Sequence, residues 1–125
     1  MQNDSGKAGE LHVAELLCAR GYTLLTQNYH SRYGEIDIIV RDAQYIVFVE
    51  VKTRGQKQLF APQQAVTVTK QKKLVQTALL YLQVHPEFAD LQPRFDVAAV
   101  ITQGTPAQIV DVQYFTGAFD GGGLF

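Results

Sequence analysis

Residues 34–54 read GEIDIIVRDAQYIVFVEVKTR, two strongly apolar runs joined by the polar stretch Arg41 to Gln44 and interrupted by Glu35, Asp37, Glu50 and Lys52. Side chains alternate across a strand, so Glu35, Asp37 and Ile39 are expected on one face, with Ile36, Ile38 and Val40 on the other. On the second run Phe48, Glu50 and Lys52 share a face. If the loop consists of Ala43 and Gln44, Asp42 falls opposite Tyr45, Val40 opposite Val47 and Asp37 opposite Glu50. Directly opposed residues point to the same side, with Cβ atoms roughly 4.5–5.5 Å apart. Two carboxylates so placed and partly removed from water repel each other, and a cation between them resolves the conflict.

The flanking sequence supplies the rest of the sheet. Leu11, Ala14, Leu17 and Cys18 recur at helical spacing between about Ser5 and Arg20, with Ser5 as a cap and Gly21 after the last turn. Tyr22 to His30 is rich in β-branched and aromatic residues and suits a strand, and SRYG turns the chain. Gly55 to Val68 reads as a polar loop. From about Thr69 to His85, Leu74, Ala78, Leu79 and Leu82 form an apolar stripe, with Thr67 or Thr69 as cap and Pro86 as stop. RFDVAAVIT and AQIVDVQYF are two further strands, separated by Gly104 and Pro106. The expected fold is α/β: a central mixed five-stranded sheet flanked by helices, in the order α-β-β-β-α-β-β.

At 125 residues and 46% hydrophobic, the chain suits one domain with a substantial core, residues 1–119, followed by a flexible tail at 120–125. A single cysteine, Cys18, excludes an internal disulfide and a thiolate-rich metal site, and points to a reducing compartment. No apolar run reaches the length of a signal core or a membrane span, so a soluble cytoplasmic protein is expected. A net charge of -1 argues mildly against life on nucleic acid. Its distribution argues the other way: no acidic residue lies between Glu50 and Glu87, while Lys52, Arg54, Lys57, Lys70, Lys72 and Lys73 fall in that interval. That stretch is either the solvated face of a loop and helix or a surface for phosphates.

Mg²⁺ suits the carboxylate pair, since it takes hard oxygens and commonly only one or two protein carboxylates. Asp37 and Glu50 would be its ligands, with the backbone carbonyl of Val51 as a third oxygen. Lys52, two residues after Glu50, would face the same point, where an ammonium can orient a water or stabilise charge on phosphate. Glu10 projects toward the buried side of the first helix and either joins this set or interacts with its own helix N-terminus. Equally, Glu50 and Lys52 could be an exposed ion pair of little consequence. His12, His30 and His85 show no ligand spacing, and Asp96 reads as a strand-end carboxylate bonded to a backbone N–H or to Arg94.

Taken together, GKAGE, NYHSRYGEIDIIVRD, YIVFVEVKTR, QAVTVTKQKKL and RFDVAAV resemble the bacterial YraN-like family over about Gly6 to Phe119. That family is assigned to the restriction-endonuclease-like PD-(D/E)xK superfamily, near archaeal Holliday-junction resolvases. The resemblance places the superfamily's acidic positions at Asp37 and Glu50, its lysine at Lys52 and the first-helix glutamate at Glu10. It implies Mg²⁺-dependent hydrolysis of DNA phosphodiesters, with Mn²⁺ as a substitute, and contacts to substrate from Gln64 and Lys70. The chain has Ile36 where the superfamily's name has proline, and Phe60-Ala61 where relatives often show Phe-Gly.

The leading expectation is therefore a metal-dependent endonuclease-like protein acting on DNA, branched DNA included, with Arg54, Lys70, Lys72 and Lys73 meeting phosphates and a homodimer matching two-fold junctions. The alternative is a non-catalytic nucleic-acid-binding or protein-interaction module on the same fold. A small-molecule hydrolase has only the carboxylate constellation in its favour.

Overall fold

The structure, a computed structural model, describes residues 4–55 and 66–120. Gln64 and the Phe60-Ala61 pair lie outside the described residues, as does 121–125 of the expected tail. The element order is α1 (Asp4–Ala19), β1 (Thr23–Ser31), β2 (Gly34–Arg41), β3 (Tyr45–Gly55), α2 (Val68–Val84), a 3₁₀ turn (Pro86–Phe88), β4 (Gln92–Gln103) and β5 (Gln108–Phe119). The five strands form one sheet in sequence order, antiparallel except for β3 and β4, which run parallel. This is the mixed sheet and the α-β-β-β-α-β-β order expected of the restriction-endonuclease-like fold.

Parallel pairing demands a crossover, and α2 makes it. Thr67 caps α2 by accepting the Lys70 N–H at 3.2 Å, and Pro86 follows its end. The β2–β3 turn closes as the sequence predicts: the Asp42 N–H donates to the Tyr45 carbonyl, and Asp42 Oδ1 accepts the N–H groups of Gln44 and Tyr45 at 2.9 and 2.7 Å. Those two donors hold the Asp42 carboxyl below the usual aspartate range. An aspartate thus replaces the glycine usual in tight hairpins, because its side chain supplies the turn's acceptor. Val40 accordingly faces Val47.

Each sheet face is covered by one helix. On one side Leu74, Val75, Ala78 and Tyr81 of α2 pack on Ile39, Ile46, Phe48, Phe95 and Val97; on the other, Val13, Ala14 and Leu17 of α1 pack on Ile38, Val40, Val47, Val49, Ala98 and Val100. Three expectations need correction. The buried stripe of α1 is Glu10, Val13, Ala14 and Leu17, while Leu11 is 56% exposed and Cys18 is exposed. The seam of α2 runs through Leu74, Thr77, Ala78 and Tyr81, leaving Leu79 and Leu82 at its margin. Ile36 packs with Ile39 rather than with Ile38 and Val40. Simple alternation fails there because Asn28, between the β1 partners of Ile38 and Ile36, has φ 52°.

The packing of α1 on the sheet depends on Gly9. A Cβ there would stand 2.5 Å from Thr53 Oγ1 and 3.5 Å from Val100 Cγ2. In an exposed helix Gly→Ala would gain up to about 1 kcal/mol. At this contact overpacking of about 1–3 kcal/mol outweighs that gain. Gly9→Ala is therefore expected to lower the denaturation midpoint, and a raised midpoint in urea titration would show that α1 sits loosely. Among the described residues, no helix is long and apolar enough to cross a membrane.

Candidate active site

Strands β2 and β3 pair from Arg41 opposite Ile46 to Ile38 opposite Val49, and their ladder stops there. Beyond that point β2 follows β1 as far as Gly34, while β3 follows β4 as far as Gly55. The sheet forks. The ladder stops one residue short of the Asp37–Glu50 pair that the sequence predicts, and both carboxylates line the opening. At the opening, Asp37 Oδ2 accepts the Val51 N–H at 2.8 Å, so a side chain replaces the carbonyl that a continuing ladder would supply.

The fork opens into a cavity of about 270 Å³ whose walls include Glu10, Glu35, Asp37, Glu50, Lys52 and Lys70, with Val51 and Arg54 beside them. Glu10, Asp37 and Glu50 are only 6%, 6% and 5% exposed, an unusual amount of carboxylate to withdraw from water in one place. Two ammoniums answer part of it, and both reach the same oxygen: Lys70 Nζ lies 2.9 Å and Lys52 Nζ 3.3 Å from Glu50 Oε1. Asp37 is left facing carboxylates. Burial first, then Glu50, and further off Glu10 and Glu35, push its pKa up to about 8 against the pull of the Val51 N–H. Burial, reinforced by Lys70, holds Lys52 below the ordinary lysine value although Glu50 pulls the other way. For Lys70 burial also disfavours the charge, but the hydrogen bond and attraction of Glu50 outweigh it and raise its pKa.

Among the described residues, no group of three or more His, Cys, Asp or Glu side chains has the arrangement of a metal-ligand cluster, Glu10, Asp37 and Glu50 included. The donors lining the fork are carboxylates and backbone, an all-oxygen set compatible with Mg²⁺ or Mn²⁺, which need few protein ligands. With the Asp37 pKa at about 8, such an ion would take the place of the Asp37 proton near neutral pH.

The fold thus gathers Glu10, Asp37, Glu50, Val51, Lys52, Arg54 and Lys70 on one cavity. Lys73 lines the neighbouring cavity, and Lys72 is exposed on α2 and lines neither. Glu35 was not singled out as a ligand or base, yet it lines both cavities; its place two residues before Asp37 was the available signal. Lys70, expected at phosphates, lines both cavities with its ammonium 2.9 Å from Glu50 Oε1. Asp96 is bonded as read, to Arg94 and to a backbone N–H, and lies outside the cavity.

The profile of the uncharacterised protein family UPF0102 matches residues 9–100. The chain belongs to UPF0102. This is the YraN-like family that the GEID and FVEVKTR blocks resemble. A UPF0102 protein of Prosthecochloris aestuarii is 39% identical over 122 residues, covering 94% of each chain. One from Syntrophus aciditrophicus is 47% identical over 96 residues, 77% of this chain and 75% of its own. Another, from Syntrophomonas wolfei, is 38% identical over 109 residues, covering 87% of this chain and 94% of the relative. The UPF0102 match takes in Glu10, Glu35, Asp37, Glu50, Lys52, Arg54 and Lys70 and ends within β4. The cavity is therefore built within the stretch that matches the UPF0102 profile, and β5 is added beyond it.

Proposed function

We propose that this UPF0102 protein is a metal-dependent phosphodiester hydrolase of the endonuclease type acting on DNA, branched DNA included. The observation that carries it is the fork: three buried carboxylates and Lys52 on one polar cavity, placed where a sheet gives up a ladder hydrogen bond to make room. Asp37, Glu50 and the Val51 carbonyl would hold Mg²⁺ or Mn²⁺, with Glu10 assisting. When bound, the cation supplies neutralisation and Lewis acidity at the scissile phosphate. Lys52, its charge disfavoured by burial, orients the attacking water or meets the charge gathering on phosphorus. Lys70 positions Glu50. Arg54 and Lys73 stand where the strand's neighbouring phosphates would pass, and a symmetric dimer would present two such forks to a junction.

One observation favours the second reading, a nucleic-acid-binding or protein-interaction module without turnover: Glu50 Oε1 is already held by two ammoniums. Cleavage decides between them. With Mg²⁺ or Mn²⁺ and labelled single-stranded, duplex, flap and four-way-junction DNAs, the native protein is expected to cut at least one substrate. Glu50→Ala and Lys52→Ala should each cut none. Salt-sensitive binding with no cutting by the native protein would hand the case to the module.

A further inference from the structure

The tip of the β1–β2 hairpin is built from two large side chains. Two-residue hairpin tips usually carry Asn-Gly or similar small residues. Here Arg32 and Tyr33 occupy it, the Arg32 guanidinium lying 5.0 Å from the Tyr33 ring centroid and Arg32 Nη2 donating to Tyr33 Oη at 3.0 Å. The pair is held firmly from below. The Tyr33 N–H donates to Ser31 Oγ at 3.1 Å, and Ser31 Oγ lies 2.9 Å from Thr77 Oγ1. The buried Thr77 hydroxyl also reaches the Lys73 carbonyl at 2.8 Å, and Ser31 Oγ reaches the Gly34 carbonyl at 3.2 Å. Gly34, at φ 149°, lets the chain re-enter β2 at this point. The tip is thereby referenced to α2, the same helix whose Lys70 grips Glu50.

Between the tip and the fork runs a trough. A second cavity of about 380 Å³ lies against Gly34, Thr67, Thr69 and Lys73, and it shares Glu35 and Lys70 with the cavity at the fork. Glu35, the acidic side chain on that wall, has His30 Nδ1 at 3.3 Å. At roughly 3.3 Å per strand residue, Tyr33 stands roughly 13 Å from Asp37. Lys70 and Lys73 line this groove, and Tyr33 immediately precedes Gly34 on its wall; basic groups and a neighbouring aromatic ring are the ingredients of single-strand binding, where phosphates follow the charges and bases stack on the ring.

We propose that the Arg32–Tyr33 tip is a stacking platform for an unpaired base of a DNA strand whose phosphates pass Lys73 and Lys70 on the way to the fork. This rests on the nuclease-like reading and deepens it: the preferred substrate is DNA with bases unpaired beside the cut. The test uses the full chain and two oligonucleotides, a plain duplex and the same duplex extended by a single-stranded arm carrying the fluorescent base 2-aminopurine. Binding is measured in EDTA and in Ca²⁺. The native protein and Tyr33→Phe are expected to prefer the armed DNA and to quench the fluorescent base. Tyr33→Ala should lose the quenching and about tenfold of that preference, on the scale of one stacked base. If Tyr33→Ala keeps both, the platform is refuted while DNA binding stands. If the native protein binds neither DNA in either buffer, the nuclease-like reading falls and the platform with it.

Discussion

Asp37→Asn should make the metal-free protein more stable, not less, and abolish its response to Mg²⁺. Asparagine keeps an oxygen for the Val51 N–H and removes a charge that faces Glu50, Glu10 and Glu35. The effect depends on pH in a defined direction. In the unfolded chain Asp37 loses its proton near 3.8, whereas in the fork it keeps it until about 8. Between those values the folded state binds the extra proton, so stability falls as pH rises, and the full penalty applies above about 8. Below pH 4 the native protein and the variant should therefore unfold alike, and at pH 9 the variant should be ahead by a few kcal/mol. Thermal unfolding in EDTA reads this directly. Added Mg²⁺ should then raise the midpoint of the native protein and leave the variant unmoved, since only a ligand that binds the folded state stabilises it. A variant less stable than the parent at pH 9 would mean that the carboxylate is a structural anchor and not a strained ligand.

The approach of the two carboxylates was legible in the sequence: hydrophobic alternation and the spacing of a two-residue loop bring Asp37 and Glu50 to the same end of the β2–β3 ladder, because register in a buried hairpin is set by local pattern. The two-residue turn was legible for the same reason, although its mechanism, an aspartate side chain accepting two N–H groups, stands in for the absent glycine. Ile36 was not legible, since alternation assumes regular strands and Asn28, between the β1 partners of Ile38 and Ile36, has φ 52°. The inward projection of Glu10 was legible from its spacing to Ala14 and Leu17, whereas Leu11 and Cys18, apolar by type, face solvent. Least legible was the grip of Lys70 on Glu50. It joins residues from two ends of a crossover, and where α2 lands on the sheet is a tertiary outcome that no local spacing encodes.

Asp96→Asn should do the opposite of Asp37→Asn, although the two aspartates perform the same backbone task. Each accepts a main-chain N–H where the sheet's ladder is interrupted: Asp37 that of Val51 at the fork, and Asp96 that of Gly117 at 2.9 Å, where the β4–β5 register shifts between Phe95 and Val97. Their neighbours differ. Asp96, fully buried, receives Arg94 through Nε at 3.0 Å and Nη2 at 2.9 Å and the Tyr114 hydroxyl at 2.6 Å. Arg94 is fixed in turn by the Tyr22 hydroxyl at 2.8 Å and the Tyr45 ring at 4.8 Å. Burial and the Asp96 carboxylate push the Tyr114 pKa up, so it stays a phenol and a donor. Removing the charge of Asp96 leaves the half-buried guanidinium without its carboxylate, a loss at the lower end of about 3–5 kcal/mol. Against a total stability of about 5–15 kcal/mol for a domain, that is enough to bring unfolding near physiological temperature. Tyr114→Phe, which deletes one hydrogen bond to a charged acceptor, should cost about 1.5–3 kcal/mol. Urea titrations of the two asparagine variants side by side at pH 9 in EDTA should move in opposite directions. Movement in the same direction would contradict a division of labour in which the cation beside Asp96 belongs to the chain and one beside Asp37 would be supplied by a ligand.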